Sequence, residues 1–344
     1  LFDEVNQATW FAPQADLTFR RMPYGFVVFA KAAVTSGPTN WQTEVSATYR
    51  KEQRSFSVSA RIFDLIPANV ADKIFALSQI ARMNMPLSGH ADMEISDEGV
   101  VLKASAELSA AAGVVDLPDY FANPIVVDEG ALRVDYEAAT GAFNIVDSIL
   151  LMGGTRVELG GRVTPLRDPQ GRLTDVDIVV KASNVSVDTQ GTVKEPVIVD
   201  RVEFTGRTSV QSPRLDIQDL LVMSGAAGVR LRGVITGGEQ SAGILMSGRL
   251  RDISADFLKK LWPPVIGPKS RAWVSENVAG GRISEGSFQI NIPPNGLAVA
   301  RTNKVLPNEA IDFRFSLQDV TSRYFKNLPL LTNASGQARL QGNV

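Results

Sequence analysis

Alternating apolar and polar residues run through most of this chain, a pattern typical of β-strands that have one side in water. In the clearest stretch, IDFRFSLQ at 311–318, every second residue is apolar: Ile311, Phe313, Phe315 and Leu317. Four other stretches alternate in the same way, at 156–163, 202–210, 229–235 and 287–292. Strands buried on both sides would be continuously apolar, so the alternation predicts antiparallel sheet with one apolar and one polar face.

Two segments, 132–163 and 202–235, resemble each other along their whole length. Each contains a strand, a turn, an apolar-x-Ile-x-Asp-x-x-apolar motif, a glycine-bearing turn and a second strand. The matching positions are Phe143/Leu215, Ile145/Ile217, Asp147/Asp219, Leu150/Val222 and Gly161/Gly233. Their spacing is too irregular for a solenoid of fixed period, so we predict a meander of similar hairpins.

Helical patterns are few, and three are predicted, at 67–83, 254–262 and 268–278. Ser254 can cap the second helix, and the third can begin at Pro268 and stop at Gly280–Gly281. If the apolar face of a meander does not pack against a second sheet, another part of the chain must shield it from water. We therefore expect the short helices to lie across that face.

The composition excludes several classes of site. The 344 residues are 44% apolar and 21% charged, which indicates a globular chain. Lys plus Arg number 35 and Asp plus Glu 37, with arginines scattered singly along strands, so no nucleic-acid partner is expected. Cysteine is absent and His90 is the one histidine, which excludes disulfides, thiolate sites and paired-histidine sites. The chain begins at Leu1 without an initiator Met, and its last residues resemble the middle of a strand, so we expect an internal fragment of a longer protein.

Candidate chemistry is sparse. His90, Asp92 and Glu94 alternate and could hold a metal, but they equally suit the wet face of a strand. The GPKS segment at 267–270 lacks the first glycine of a phosphate loop, and no G-x-S-x-G motif is present. Carboxylates at 126–137 leave glycoside hydrolysis open, although no aromatic-rich run accompanies them. We predict no catalytic residues, no cofactor and no metal.

The segment LKKLWPPVIGPKSRAWVSENVAGGRISEGSFQINIP at 258–293 resembles the AsmA-like proteins, especially their YhdP branch. The family pattern W-P…R-x-W-(V/L)-x-x-N-(V/L)-x-x-G-x-(I/V)-x-x-G is carried here by Trp262, Pro263, Arg271, Trp273, Asn277, Gly281, Ile283 and Gly286. Segments 75–99 and 322–342 are similar to further parts of that family, whereas 1–60 match none. Trp262 and Trp273 could stack on a ligand, but pinning a helix to a sheet is the commoner role.

The resemblance implies a mostly β fold, an elongated antiparallel half-open groove (β-taco) with a few short amphipathic helices. It also implies an inner-membrane-anchored protein that reaches across the periplasm of a diderm bacterium as a bridge for phospholipid, and so serves outer-membrane biogenesis. We expect three segments: N-terminal strands at 1–64, repeated hairpin groove units at 65–250, and a helix-capped AsmA-like unit at 251–344.

The expected function is a non-enzymatic conduit that holds phospholipid acyl chains in an apolar groove between inner and outer membranes. The partners would be phospholipid, membranes reached through other parts of the chain, and membrane or periplasmic proteins. Alternatives are a periplasmic scaffold for outer-membrane protein assembly, a closed β-sandwich interaction module and a polysaccharide-acting enzyme. The predicted groove contacts are Val157, Leu159, Phe204, Ile217, Val229, Leu231, Phe288, Ile290, Ile311, Phe313 and Phe315.

Overall fold

The predicted mostly-β class is confirmed: the chain is 72% strand and 8% helix. The structure, a computed structural model, describes residues 2–3, 8–36, 39–71, 81–116, 124–152, 155–187, 197–262, 268–303, 308–325 and 328–341. The alternation of apolar and polar residues is the physical origin of this content, since a period of two suits only a strand with two different faces.

The strands, in chain order, are β1 (Phe2–Asp3), β2 (Ala8–Thr9), β3 (Phe11–Met22), β4 (Gly25–Ser36), β5 (Thr39–Arg50), β6 (Ser55–Leu65), β7 (Met83–Asn84), β8 (Leu87–Ser96), β9 (Val101–Ala110), β10 (Gly113–Val115), β11 (Ile125–Val127), β12 (Glu129–Glu137), β13 (Ala142–Met152), β14 (Thr155–Arg167), β15 (Leu173–Val187), β16 (Val197–Ser209), β17 (Arg214–Ser224), β18 (Ala227–Thr236), β19 (Gly243–Ser254), β20 (Val278–Ile292), β21 (Ile311–Ser322) and β22 (Leu331–Gln341).

One antiparallel sheet contains 17 of these strands and is not closed. Its strands follow chain order, with β6 beside β8 and β9 beside β12. The intervening β7, β10 and β11 form a small separate sheet, and β1 pairs with β2. In the described pairings, β3 pairs only with β4 and β22 only with β21. Short hairpin connections between neighbouring strands explain why the sheet is antiparallel throughout.

Three short helices accompany the sheet: α1 (Ala255–Leu261), α2 (Pro268–Asn277) and α3 (Gly296–Asn303). The predicted cap of α1 is confirmed, because the hydroxyl of extended Ser254 accepts a hydrogen bond from the Phe257 N–H at 3.1 Å. The glycine stop predicted for α2 is wrong, since β20 follows α2 directly at Val278. No helix among the described residues is long and apolar enough to cross a membrane.

The helix predicted at 67–83 lies mostly outside the described residues. Its start is a 3-10 turn at Pro67–Asn69, and Met83 belongs to β7. A second 3-10 turn, Asn308–Ala310, precedes β21. The helix α3 was not predicted from the sequence.

The described chain divides into two compact units, the first ending at Arg162 and the second starting at Val163. We call them unit 1 and unit 2. The division falls inside β14, so it does not coincide with a linker.

Cross-strand register gives each unit an apolar face. Directly opposed residues in an antiparallel pair share a face. In unit 1, one row of opposed residues across β4, β5, β6, β8, β9 and β12 is Ala30, Val45, Ala60, Ala91, Ala106 and Val134. In unit 2, one row across β16 to β22 is Phe204, Leu220, Leu231, Gly248, Phe288, Phe313 and Leu340.

β-Bulges interrupt the strict alternation. Register shifts fall between Ile62 and Leu65 in β6 and between Leu317 and Val320 in β21, so that apolar residues three apart share a face. Six aspartates and asparagines have φ between 45° and 58°, the left-handed region that short polar side chains tolerate best: Asp64, Asp147, Asn184, Asp252, Asp319 and Asn333. An extra residue at each bulge keeps the apolar side of the strand turned to one face.

Candidate functional site

The apolar face of unit 2 holds nine of the eleven predicted groove contacts. They occupy three adjacent rows of opposed residues. One row contains Val229, Leu250, Gly286 and Phe315; the next contains Phe204, Leu231, Gly248, Phe288 and Phe313; the third contains Ile217, Gly233, Met246, Ile290 and Ile311. The remaining two contacts, Val157 and Leu159, lie on β14 in unit 1.

The three rows differ in how much of their surface is accessible. Ile311 and Ile290 are 0% and 3% exposed and belong to a packed core. Phe257 and Leu258 of α1 and Leu297 of α3 pack against that core. Because these helices cover part of the apolar face, the buried residues support the fold rather than offer contact surface. Accessible apolar surface remains on five half-buried side chains: Phe204, Val229, Leu231, Phe313 and Phe315.

The residues of the 258–293 segment hold α1 and α2 at this face. The Trp262 ring lies 6.3 Å from the Phe313 ring, centroid to centroid. Arg271 Nε of α2 donates to the Trp262 carbonyl oxygen at 3.0 Å, which ties the two helices together. Lys259 Nζ donates to the Val278 carbonyl oxygen at the start of β20. Trp262 therefore pins a helix to the sheet, as the commoner role for such a residue suggested.

The other residues of that segment have structural positions as well. Asn277 Nδ2 donates to the Trp273 carbonyl oxygen at 2.9 Å, and the Trp273 side chain is 47% exposed. Gly281 has φ +106°, and a Cβ there would lie 2.6 Å from the Val320 Cα. A Cβ on Gly286 would lie 3.2 Å from the Arg314 carbonyl oxygen. Pro263 lies outside the described residues.

Unit 1 presents its own apolar face, which the sequence did not single out. Four aromatic rings adjoin there, with centroid distances of 5.5 Å for Phe19–Phe26, 5.4 Å for Phe26–Tyr49 and 4.8 Å for Tyr49–Phe56. Phe19, on the edge strand β3, is 66% exposed. The available signal was the alternation of β5 and β6, which places Val45, Ala47 and Tyr49 opposite Ala60, Val58 and Phe56.

The candidate metal ligands lie on the polar face of unit 1. His90, Asp92 and Glu94 alternate along β8, and His90 Nε2 lies 3.9 Å from Glu107 Oε2. Asp92 is opposed by Ser59 and Ser105. In the part of the chain that the structure describes, no group of three or more such side chains could hold a metal ion.

Among the carboxylates of 126–137, Glu137 is held in an ion pair with Arg162. Hydrogen bonds from Thr140 and Arg162, together with the charge of Arg162, lower the pKa of Glu137. The Arg162 Nη2 to Glu137 Oε2 distance is 2.5 Å. A general acid in glycoside hydrolysis needs the opposite shift, so Glu137 serves as an ion-pair partner.

No family model matches this chain, and neither the curated proteins nor the solved structures contain a match to it.

Proposed function

We propose that this chain is a non-enzymatic lipid-binding segment whose apolar sheet face shelters phospholipid acyl chains. The observation that carries the proposal is the segregation of side chains in unit 2. Aliphatic and aromatic residues, with Gly233, Gly248 and Gly286 among them, form rows on one face, and most charged residues of β15 to β22 lie on the other face. Five residues of the apolar face stay only half-buried, which leaves surface for a ligand.

The energetics favour a ligand with long apolar chains. Exposure of hydrocarbon to water costs about 0.8 kcal/mol per methylene. A phospholipid with about 30 methylenes would thus need on the order of 20 kcal/mol to cross water unaided. Contact with a face of branched aliphatic and aromatic side chains removes much of that cost, while the head group stays hydrated.

The composition of the face suits movement as well as binding. Leu231, Phe313 and Phe315 offer no charge and no side-chain hydrogen-bond donor that would fix a lipid at one position. An acyl chain therefore meets similar surroundings from strand to strand. The resemblance of 258–293 to AsmA-like proteins supports placing this segment in a periplasmic, inner-membrane-anchored protein that passes phospholipid between two membranes.

The test is mass spectrometry of the purified protein, native and after organic extraction, together with uptake of labelled phospholipid from vesicles. Leu231→Asp places a charge on the apolar face. Its matched control is Leu245→Asp, because Leu245 lies on the opposite face of the same sheet and is 58% exposed. We expect the unaltered protein and the control to carry phospholipid and Leu231→Asp to lose most of it.

Circular dichroism and thermal unfolding of both variants separate lost binding from lost folding, and Leu231→Ser provides a milder polar change. A folded protein without phospholipid and without uptake would contradict the proposal and favour an interaction module or scaffold. Equal lipid loss in both aspartate variants would also contradict it, because the two faces would then not differ.

A further inference from the structure

Arginines that are far apart in the sequence lie side by side on the polar face of unit 2. Arg230 of β18 opposes Arg249 of β19, and Arg314 of β21 opposes Arg339 of β22. Ser287 of β20 lies between the two pairs, opposed to both Arg249 and Arg314. A single row therefore runs Arg-Arg-Ser-Arg-Arg across five strands.

Like charges directly opposed on neighbouring strands destabilise a sheet, so this row needs compensation. Part of it comes from two aspartates. Arg230 Nε lies 2.6 Å from Asp219 Oδ1. Asp312 accepts from Arg339 at 2.8 Å and from Arg314 at 3.1 Å.

Arg249 differs from its neighbours. Among the described residues its side chain forms no ion pair or hydrogen bond, and it is exposed. The two aspartates beside the row, Asp219 and Asp312, already pair with Arg230, Arg314 and Arg339. The four arginines outnumber these two carboxylates, so the row retains positive charge. Because the whole chain has a net charge of −2, this concentration of arginine is a local feature.

The row borders an open recess of about 970 Å³, whose lining also includes Val229, Leu250 and Phe315. Its charged lining consists of five arginines and one carboxylate, Arg230, Arg249, Arg251, Arg314, Arg339 and Glu285. A second recess of about 640 Å³ shares Arg230, Arg249 and Arg314, and its other charged residues are Arg232, Asp219 and Asp312. Arginines outnumber carboxylates in both recesses, and concave surfaces in which one sign of charge predominates concentrate counter-ions.

We propose that this recess binds a ligand carrying two or more phosphate groups, with Arg249 and Ser287 at its centre. Guanidinium groups match phosphate oxygens in a two-pronged geometry, and a serine hydroxyl adds a donor. The backbones of Arg249 and Arg314 are two strand spacings apart, about 10 Å, so guanidinium groups spread along the row can contact more than one phosphate. The arginine row lies on the face opposite the proposed acyl-chain surface. The proposal does not depend on acyl-chain binding.

Calorimetric titration with tripolyphosphate at low and moderate salt tests the site. We expect Arg249→Gln and Arg314→Gln each to raise Kd about tenfold, the loss of one charge-assisted contact. Arg249→Lys, which keeps the charge but not the two-pronged geometry, should fall between. Asp312→Asn should lower Kd, because it frees Arg314 and Arg339 for the ligand. A merely structural role would not produce that gain.

The matched control is Arg201→Gln, which removes one positive charge from the same face at an exposed position paired with Glu203. It should leave Kd unchanged. Equal weakening by Arg201→Gln, or no binding of tripolyphosphate or anionic vesicles at low salt, would overturn the proposal.

A second measurement distinguishes the source of the phosphates. Co-sedimentation compares vesicles of phosphatidylcholine with vesicles that also contain phosphatidic acid. Arg249-dependent binding to the anionic vesicles identifies lipid head groups as a source. Binding of tripolyphosphate without binding of vesicles identifies a free phosphorylated ligand.

Discussion

At the scale of single residues, Asp312 is the most strongly perturbed acid in the described chain. Its carboxylate accepts hydrogen bonds from Arg339 and Arg314, which lower its pKa from the usual 3.8 to about 2. The carboxylate thereby prevents direct repulsion between the two opposed arginines. The same contacts make it sensitive to acid.

The sign of the pH effect follows from the lowered pKa. Such a group stabilises the fold above its unfolded pKa, near 3.9, and this contribution is lost as the pH falls through the folded pKa of about 2. We expect Asp312→Asn to lower the Tm by about 1–3 °C at pH 7. The difference should shrink below pH 4 and nearly vanish below pH 2. Calorimetric scans of both proteins from pH 7 to pH 1.5 check this, and a constant difference would contradict it.

The alternation of apolar and polar residues predicts the face of a side chain better than its burial. Alternation correctly grouped Leu231, Phe313 and Ile311 on one side of the sheet. It could not show that Ile311 is fully buried while Leu231 is only half-buried, because the difference depends on where the helices lie. Sequence periodicity indicates the face on which a side chain lies but not which elements pack over it.

At the scale of elements, the β-bulges explain the motif that the two similar segments share. In Ile145-x-Asp147-x-x-Leu150 the register shifts beside Asp147, whose φ is 45°. Ser148, 2% exposed, donates to the Val146 carbonyl oxygen and accepts from the Arg133 N–H, so its hydroxyl is satisfied. The second copy shifts register between Ile217 and Leu220. The spacing that the two segments share therefore reflects one extra residue in the strand at the bulge.

Substitution at Asp147 tests this account. Asp147→Val forces a β-branched residue into the left-handed region and should lower the free energy of unfolding by about 1–2 kcal/mol. Asp147→Gly, which suits that region, should change it by less than about 0.5 kcal/mol. Urea unfolding measures both. Asp135→Val on neighbouring β12, where φ is not positive, serves as the control and should be tolerated; similar losses at both sites would count against the bulge.

The helices show where local sequence suffices and where it does not. The beginnings of α1 and α2 were predictable because Ser254 and Pro268 lie in the adjacent sequence. The helix α3 is held in addition by contacts that are distant in the sequence. Its Ala298 N–H donates to the Ser241 hydroxyl at 3.1 Å, and Asn295 Oδ1 accepts from the Gln240 N–H at 2.8 Å. These contacts come from a loop more than 50 residues earlier and exist only after the sheet has formed.

At the scale of the whole molecule, the arginine row cannot be recognised from the sequence alone. Arg230, Arg249 and Arg314 each stand alone between apolar neighbours in the chain. Pairing of successive strands in register brings them together on one face. The pattern of single residues therefore predicts the class of fold. A site formed by several strands can be predicted only when the register of those strands is known.

Because the strands pair in chain order, each strand contacts mainly its two neighbours in the sheet. The local stability against unfolding should therefore vary from strand to strand. In unit 2, Ile292 and Ile311 on β20 and β21 are 2% and 0% exposed, and α1 and α3 pack against the same core. In unit 1, none of the β3 residues is buried, and Leu17 is 76% exposed.

We expect hydrogen exchange followed by mass spectrometry to show β20 and β21 as the slowest strands and β3 as the fastest strand of the main sheet. Deleting the α1 cap with Ser254→Ala should accelerate exchange in β20 and leave β3 unchanged. If instead all 17 strands exchanged together in one step, the sheet would unfold as a single cooperative unit and the neighbour-by-neighbour account would be wrong.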